Sequence, residues 1–247
     1  MARFEGRVAL VTGAGSGIGR AVAERLIAEG GSVLGVDVDG DRLDAVQASA
    51  GSALSVLVAD LGDPEACRSA VEVCVSRFGG LDVLGNVAGI FRAHHAVDVT
   101  VAEYRRIMAV NVDAYFFLSQ AAIPHLIERN GNIVNVASNS ALQGIPYAAP
   151  YAISKGGVLQ LTRALAVEFL KRPLRVNAIA PAGTNTNIAT EATFPDGLDP
   201  DLLGRMAGLR GLAEPEEVAG VFAFLASDEA RSVTGAVYTI DNGLTVS

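Results

Sequence analysis

Short apolar runs alternate along the chain with longer stretches in which apolar residues recur at helical spacing. The runs are rich in β-branched residues and end at glycine or polar residues, as is typical of strands buried on both faces. Because strand and helix patterns alternate, the sequence predicts an α/β fold: a three-layer, doubly wound parallel sheet of about seven strands with helices on both faces and right-handed crossovers. The predicted strands are 7–12, 31–36, 54–59, 81–87, 131–138, 174–180 and 236–240, and the predicted helices are 20–29, 63–78, 100–127, 151–171 and 215–226.

Composition indicates one globular domain covering residues 1–247. Hydrophobic residues make up 50% of the chain and charged residues 19%, and no linker or repeat interrupts the pattern. The net charge is -8, and an acidic chain without a basic block is a poor nucleic-acid binder. The positive mean hydropathy fits parallel strands buried on both faces, and it also fits an apolar subunit interface.

The cysteines and the apolar runs bear on the compartment. Cys67 and Cys74 are seven residues apart, which predicts that both lie on the core side of one helix. Two cysteines without a Cys-x-x-Cys motif fit a reducing compartment. No secretory signal is evident, and no stretch is expected to approach the ~20 apolar residues of a membrane span. A cytoplasmic location is therefore expected.

A glycine-rich segment lies between the first strand and the first helix. Its pattern is Thr-Gly-x3-Gly-x-Gly, from Thr12 to Gly19, with Ile18 where the commoner pattern has its last glycine. Such a turn lets the backbone approach a pyrophosphate, which rests on the helix N-terminus. The residues expected to contact a dinucleotide here are Gly13, Ser16, Gly17, Ile18 and Gly19.

Asp37 ends the second strand, where a dinucleotide-binding unit carries an acidic residue for the adenosine ribose hydroxyls. A carboxylate there repels a 2′-phosphate. Neither Val38 nor Ser16 is basic, so we predict NAD rather than NADP as the cofactor. Asp39 and Asp41 are expected to be loop or helix-cap residues.

Tyr151 and Lys155 are four residues apart, so on a helix their side chains are neighbours on one face. A positive charge beside a phenol favours the phenolate, and we expect Lys155 to lower the pKa of Tyr151 toward the working pH of a general base. Ser138 follows a predicted strand and lies at the sheet edge where α/β folds bind ligands. Taken alone, the Tyr-x3-Lys spacing is more typical of a solvated helix face.

In order and spacing, these motifs resemble the short-chain dehydrogenase/reductase family over essentially the whole chain. Asp60, with Leu61, matches the acidic residue that holds adenine. The segment Asn86-x-Ala88-Gly89 matches the family's Asn-Asn-Ala-Gly motif, with Val87 in place of the second Asn. The segment from Pro181 to Thr186 is similar to the Pro-Gly-x3-Thr loop that meets the nicotinamide, with Ala182 inserted; the resemblance implies that Pro181, Gly183, Thr184 and Thr186 contact the cofactor.

The resemblance also implies a catalytic tetrad of Asn111, Ser138, Tyr151 and Lys155. In the family, the backbone carbonyl of the asparagine holds a water near the lysine, and the tyrosine and lysine also contact the nicotinamide ribose. The implied activity is NAD-dependent hydride transfer between a secondary alcohol or ketone and the nicotinamide. Residues 184–210 correspond to a substrate lid, and a homotetramer is the implied assembly.

Other interpretations stay open at this point. An NADPH-dependent 3-oxoacyl-thioester or other carbonyl reductase would share every motif. A non-catalytic dinucleotide sensor or scaffold would not need Tyr151 and Lys155, and neither would a methyltransferase on a similar fold. The histidines lack zinc-site spacing, so no metal is predicted, although His94 or His95 could contact substrate.

Overall fold

The computed structural model describes residues 2–190, 194–204, 206, 208 and 210–246. Within this part, seven strands form one parallel sheet in the order β3-β2-β1-β4-β5-β6-β7. The predicted doubly wound parallel sheet is therefore confirmed. The strands are β1 (Val8–Thr12), β2 (Ser32–Asp37), β3 (Leu54–Val58), β4 (Val83–Asn86), β5 (Asn132–Val136), β6 (Arg175–Pro181) and β7 (Val237–Ile240).

The helices cover both faces of the sheet, as expected. The helix Gly40–Ala50 (α2) was not predicted, but Asp39 caps it as expected of a cap residue, since its carboxylate accepts from the Arg42 N–H at 3.1 Å. The two short helices over residues 187–190 and 200–204 were not predicted either. The helices are α1 (Gly17–Ala28), α2 (Gly40–Ala50), α3 (Pro64–Phe78), α4 (Val101–Met108), α5 (Ala114–Glu128), α6 (Ala149–Glu168), α7 (Asn187–Thr190), α8 (Pro200–Gly204) and α9 (Pro215–Ala226).

Two apolar clusters fill the space between sheet and helices. One lies under α3, α5 and α6 and includes Tyr115 and Leu118. The other lies under α1, α2 and α9 and includes Leu26 and Phe222. Cys67 and Cys74 are buried in the first cluster, which confirms the expectation for them, and burial raises the pKa of each thiol to about 12.

The helix predicted over residues 100–127 is interrupted. A π-helical turn, Ala109–Asp113, separates α4 from α5. The segment Val101–Glu128 is long and apolar enough to span a membrane by length and composition alone, so the expectation that no stretch approaches this length was wrong. Several of its apolar residues, including Tyr115, Leu118 and Leu126, are buried in the core, whereas others such as Phe116 are exposed in the single chain.

The sheet order places a crevice between β1 and β4. Strand β1 pairs with β2 on one side and with β4 on the other. The sheet therefore grows outward from β1 in one direction through β2 and β3, and in the opposite direction from β4 through β7. In open α/β sheets, ligands bind at the carboxyl ends of the strands at this switch point. The glycine-rich segment after β1 and the Val87-Ala88-Gly89 segment after β4 both lie there.

Candidate active site

A single cleft of about 590 Å³ runs along the carboxyl ends of the strands. That volume is within the range of small-molecule and cofactor sites. All of the predicted site residues except Asn86 and Asn111 line it. The predicted residues in its wall are Gly13, Ser16, Gly17, Ile18, Gly19, Asp37, Asp60, Leu61, Ala88, Gly89, Ser138, Tyr151, Lys155, Pro181, Gly183, Thr184 and Thr186.

The glycine-rich turn is compact because two of its glycines cannot carry a side chain. Gly13 has a φ of +68°, and a Cβ on Gly19 would lie 2.1 Å from the Gly13 carbonyl oxygen. Thr12 fixes the turn against the neighbouring strand end, since its Oγ1 accepts from the N–H groups of Val87 and Ala88 at 2.9 and 3.0 Å. Sequence reasoning did not assign Thr12 this role, although it begins the glycine motif.

Asp37 lines the cleft beside the glycine turn. Its carboxylate accepts from the backbone N–H of Gly15 at 2.9 Å and of Asp39 at 3.1 Å. These bonds orient the carboxylate toward the glycine turn. Arg42, which the sequence did not single out, also lines the cleft and forms an ion pair with Asp39 at 3.0 Å.

Asp60 forms a bidentate pair with Arg106, another cleft residue that the sequence analysis missed. The two nitrogen–oxygen distances are both 3.0 Å. Hydrogen bonding to Arg106 is the largest effect on the Asp60 carboxyl and holds its pKa below the usual range. The Gly62 N–H also donates to this carboxylate at 2.9 Å. A carboxylate that stays ionised can accept from an exocyclic amino group such as that of adenine.

Ser138, Tyr151 and Lys155 converge at the inner end of the cleft. Ser138 is buried and donates to the Asn139 Oδ1 at 3.1 Å. Tyr151 is partly exposed along the cleft, yet enough protein surrounds it that burial raises its pKa, while the neighbouring Ser138 hydroxyl lowers it. The net direction is upward.

The expectation that Lys155 lowers the pKa of Tyr151 is therefore wrong for this structure. The ammonium nitrogen is 5.8 Å from the Tyr151 ring centroid and donates instead to the Val136 carbonyl at 2.8 Å. Burial lowers the pKa of Lys155 itself to about 7, so near neutral pH the lysine carries only part of its charge. Desolvation outweighs the charge that was expected to act on Tyr151.

Asn86 and Asn111 lie behind the cleft. The Asn86 side chain is fully buried, donates to Asn135 Oδ1 at 2.9 Å and is not among the residues that line the cleft, so its predicted cofactor contact stays a prediction. Asn111 lies in the π-helical turn, and its Nδ2 donates to the Ser154 Oγ at 3.0 Å. Its side chain holds neighbouring segments together and does not reach into the cleft.

An apolar wall faces Tyr151 across the open part of the cleft. The Phe91 ring meets the Tyr151 ring edge-to-face at 5.1 Å between centroids, and Phe194 lies 6.3 Å from Phe91. Ile145, Ile188 and Met206 complete this wall.

The wall includes part of the predicted lid. Residues 187–190 and 200–204 form short helices, whereas Leu209, an apolar residue of the expected lid, lies outside the described residues.

The two histidines after β4 do not line the cleft. The His95 Nε2 is 3.0 Å from the Asp196 carbonyl oxygen, and the His94 Nε2 is 3.1 Å from a Glu103 carboxylate oxygen. The substrate contact considered for them is therefore not supported. Among the described residues, no group of three or more His, Cys, Asp or Glu side chains could hold a metal ion.

The cleft fits a dinucleotide. A side chain on Gly13 would come within 3.1 Å of the Ala88 backbone, and one on Gly89 would lie 3.4 Å from the Lys155 Nζ, so the glycines keep the cleft open along its length. The N-terminus of α1 opens onto it at Gly17, where backbone N–H groups favour phosphate. Asp37 lies toward one end of the cleft and Lys155 toward the other.

Comparison with known proteins agrees with this geometry. A profile of the family described as enoyl-(acyl carrier protein) reductase matches residues 13–245. The meso-2,3-butanediol dehydrogenase of Serratia marcescens is 39% identical over 99% of this chain and 97% of its own length.

Solved structures give the same result. A 3-ketoacyl-(acyl-carrier-protein) reductase from Brucella melitensis complexed with NADH superposes with a TM-score of 0.90 at 34% identity, covering 98% of this chain and 99% of the other. A short-chain dehydrogenase from Burkholderia cenocepacia in complex with NADP gives 0.89 at 36% identity, covering 98% and 99%. The chain belongs to the short-chain dehydrogenase/reductase family of oxidoreductases.

Proposed function

We propose that this protein is an NAD-dependent oxidoreductase that interconverts a secondary alcohol and its ketone, with Tyr151 as the general acid/base. One observation carries the proposal: Ser138, Tyr151 and Lys155 line the inner end of the same cleft whose outer end holds the glycine turn and Asp37. A protein that only binds a dinucleotide has no need of a serine hydroxyl and a phenol in the same cleft wall beside a buried lysine.

The residues divide the work as follows in the oxidation direction. Tyr151, as phenolate, takes the proton of the substrate hydroxyl, and Ser138 donates to the same oxygen as charge develops on it. When bound, the nicotinamide supplies the acceptor for the substrate hydride. By resemblance, Lys155 binds the nicotinamide ribose and the Asn111 carbonyl holds a water through which the proton leaves.

The NAD preference rests on Asp37. Its carboxylate is fixed by two backbone N–H groups and lines the adenosine end, so a 2′-phosphate there would meet a like charge. The competing proposal is an NADPH-dependent reductase of 3-oxoacyl thioesters or other ketones. Arg42 in the same part of the cleft favours it, and structural relatives are complexed with NADH and with NADP.

The substrate is proposed to be mainly apolar. Phe91, Ile145 and Phe194 leave an apolar surface beside Tyr151, with Ile188 and Met206 on the lid side. A polyol would lose hydrogen bonds to water there without replacing them. We therefore expect the enzyme to prefer apolar substrates over sugar alcohols. These substrates would carry one hydroxyl group, or oxygen groups on two adjacent carbons.

We also propose a cytoplasmic homotetramer. Several apolar side chains on α5 and α6 are exposed in the single chain, among them Phe116, Ile153 and Val167. Exposed apolar residues that form a patch are typical of a subunit interface. A second copy of the chain would cover them, and light scattering that gave a monomeric mass would contradict this assembly.

The proposed function is tested by the absorbance of NADH formed from a panel of secondary alcohols with NAD and with NADP. Turnover that favours NAD supports the proposal. Turnover that favours NADP supports the reductase. Tight NADH binding without turnover of any alcohol, or of any ketone in the reverse direction, would support a dinucleotide sensor and contradict the proposal.

A further inference from the structure

A second buried tyrosine lies next to the lysine of the proposed site. Tyr115, on α5, is 1% exposed, and its hydroxyl lies 3.5 Å from the Lys155 Nζ. The same ammonium is 5.3 Å from the centroid of the Tyr115 ring, within the range of a cation–π contact. The scheme proposed above gives this tyrosine no role.

The groups around the Tyr115 hydroxyl determine which carbonyl oxygen accepts its hydrogen. It is 3.0 Å from the Ala88 carbonyl oxygen and 3.1 Å from the Val136 carbonyl oxygen, and a phenol has one hydrogen to donate. The Val136 carbonyl already accepts from Lys155 at 2.8 Å. Donation to Ala88 therefore satisfies both carbonyls and leaves the phenol oxygen free to accept from the ammonium.

Tyr115 is also kept from acting as a base. Complete burial, and to a smaller extent the neighbouring Tyr151, raise its pKa well above the usual value. Two carbonyl oxygens at hydrogen-bond distance further disfavour a phenolate there. The site thus holds two phenols near one lysine, of which Tyr151 lines the cleft and Tyr115 does not.

We propose that Tyr115 is a positioning residue for Lys155: its hydroxyl oxygen and the Val136 carbonyl form the seat that holds the ammonium at the inner end of the cleft. The inference rests on the proposed function for the role of Lys155. The seat replaces part of the hydration that burial removes from the ammonium. Removing the Tyr115 hydroxyl should therefore destabilise the charged form of Lys155 relative to the neutral form.

The groups around the lysine leave few other candidates for this effect. Tyr151 on α6 and Tyr115 on α5 are the titratable groups near it, β5 offers the Val136 carbonyl, and the segment after β4 presents Gly89. For the described residues, burial is the cause that shifts the pKa of Lys155, and no acidic or basic side chain adds to it. A substitution at Tyr115 should therefore change the pH titration of Lys155.

The sequence makes the test direct, because Lys155 and Lys171 are its two lysines. In the full chain grown with lysine isotopically labelled at Cε, NMR gives one signal from the buried lysine and one from the exposed Lys171. The pH titration of the Lys155 signal is compared in the wild type, Tyr115→Phe, and the control Tyr104→Phe, which removes a hydroxyl from α4. Phe keeps the ring at position 115, so the comparison isolates the hydroxyl.

We expect Tyr115→Phe to lower the midpoint of the Lys155 titration by about 1 pH unit, and Tyr104→Phe to leave it in place. An unchanged midpoint in folded Tyr115→Phe overturns the inference. If the variant does not fold, the wild type still decides: cross-relaxation between the Lys155 methylene and the Tyr115 ring supports the seat, and its absence overturns it.

A kinetic arm separates this inference from the proposed function. If the wild type oxidises an alcohol with NAD, Tyr115→Phe should raise the KM for NAD more than it lowers kcat, because Lys155 is proposed to bind the nicotinamide ribose and is held less firmly without the Tyr115 hydroxyl. A wild type without turnover contradicts the proposed function, whereas an unshifted Lys155 titration overturns the seat whatever the turnover.

Discussion

The side-chain amide of Asn111 forms two hydrogen bonds with the backbone of Ile90. The Oδ1 accepts from the Ile90 N–H at 2.8 Å, and the Nδ2 donates to the Ile90 carbonyl at 3.0 Å. The Nδ2 also donates to Ser154. The asparagine therefore joins the segment after β4, the π-helical turn and α6, which are the three segments that surround Lys155.

This relationship predicts that Asn111→Ala lowers the free energy of unfolding by about 2–4 kcal/mol, since it removes three bonds and leaves the Ile90 backbone groups without partners. Urea unfolding measures the change. Asp113→Ala, at an exposed position of the same π-helical turn, is the control and should change stability by less than about 0.5 kcal/mol. Equal losses in both variants would show that the asparagine bonds are not the cause.

Asp37→Ser should relax the choice of cofactor. Removing the carboxylate removes a like charge from the position proposed for a 2′-phosphate, a repulsion on the order of several kcal/mol. We expect the ratio of kcat/KM for NADP to that for NAD to rise roughly 10²-fold or more. The control is Asp41→Asn, an exposed acidic residue on α2. A ratio that moves equally in both variants would contradict the assignment of Asp37.

Glu29 should make the protein sensitive to acid. Hydrogen bonding to Arg3, at 2.6 Å, is the largest effect on Glu29 and lowers its pKa to about 2 from an ordinary 4.5. A depressed carboxyl pKa contributes stability that is present above about pH 4.5 and is lost as the pH falls toward 2.

Glu29→Gln should therefore lose roughly 1–3 kcal/mol of stability at neutral pH and differ little from the wild type near pH 2. Unfolding free energies measured across that range decide this. Glu24→Gln, in an exposed pair with Arg20 on α1, should leave the pH dependence of the wild type in place. A constant difference between Glu29→Gln and the wild type at all pH values would contradict the account.

Lys155 should also make stability rise with pH, but in a higher pH range than Glu29. Its pKa is lowered to about 7 from 10.5, so the unfolded chain binds more protons between these values and the free energy of unfolding rises as the pH increases through them. Lys155→Met should be more stable than the wild type by roughly 2–5 kcal/mol below neutral pH, with the difference shrinking as pH increases. Lys171→Met, at an exposed position, is the control. Parallel stability curves for Lys155→Met and the wild type would refute a buried ammonium.

The parts of the site that sequence could predict are those set by local spacing. Gly13 to Gly19 and Asp37 follow directly from the ends of two strands, and the four-residue spacing of Tyr151 and Lys155 brings them to one helix face. The parallel sheet followed from alternating strand and helix patterns. These features need only short-range geometry, so the pattern alone is sufficient.

The features that sequence missed depend on contacts between distant segments. Asp60 and Arg106 are 46 residues apart, and Tyr115 lies 40 residues from Lys155, so no spacing pattern joins them. Asn86 was placed with the cofactor contacts because of its motif, but the strand directs its side chain to Asn135 in the core. The direction of the Tyr151 pKa depends on where the Lys155 ammonium points, which only the three-dimensional arrangement gives.

The rate of NADH formation in Tyr151→Phe, measured with an alcohol that the wild type oxidises, tests the central claim most directly. Phe preserves the edge-to-face contact with Phe91 and removes only the hydroxyl that carries the proton. We predict a loss of about 10²–10⁴-fold in kcat with NADH binding retained, while Tyr104→Phe stays at the wild-type rate. A Tyr151→Phe enzyme with near-normal turnover would contradict the assignment of Tyr151 as the general acid/base.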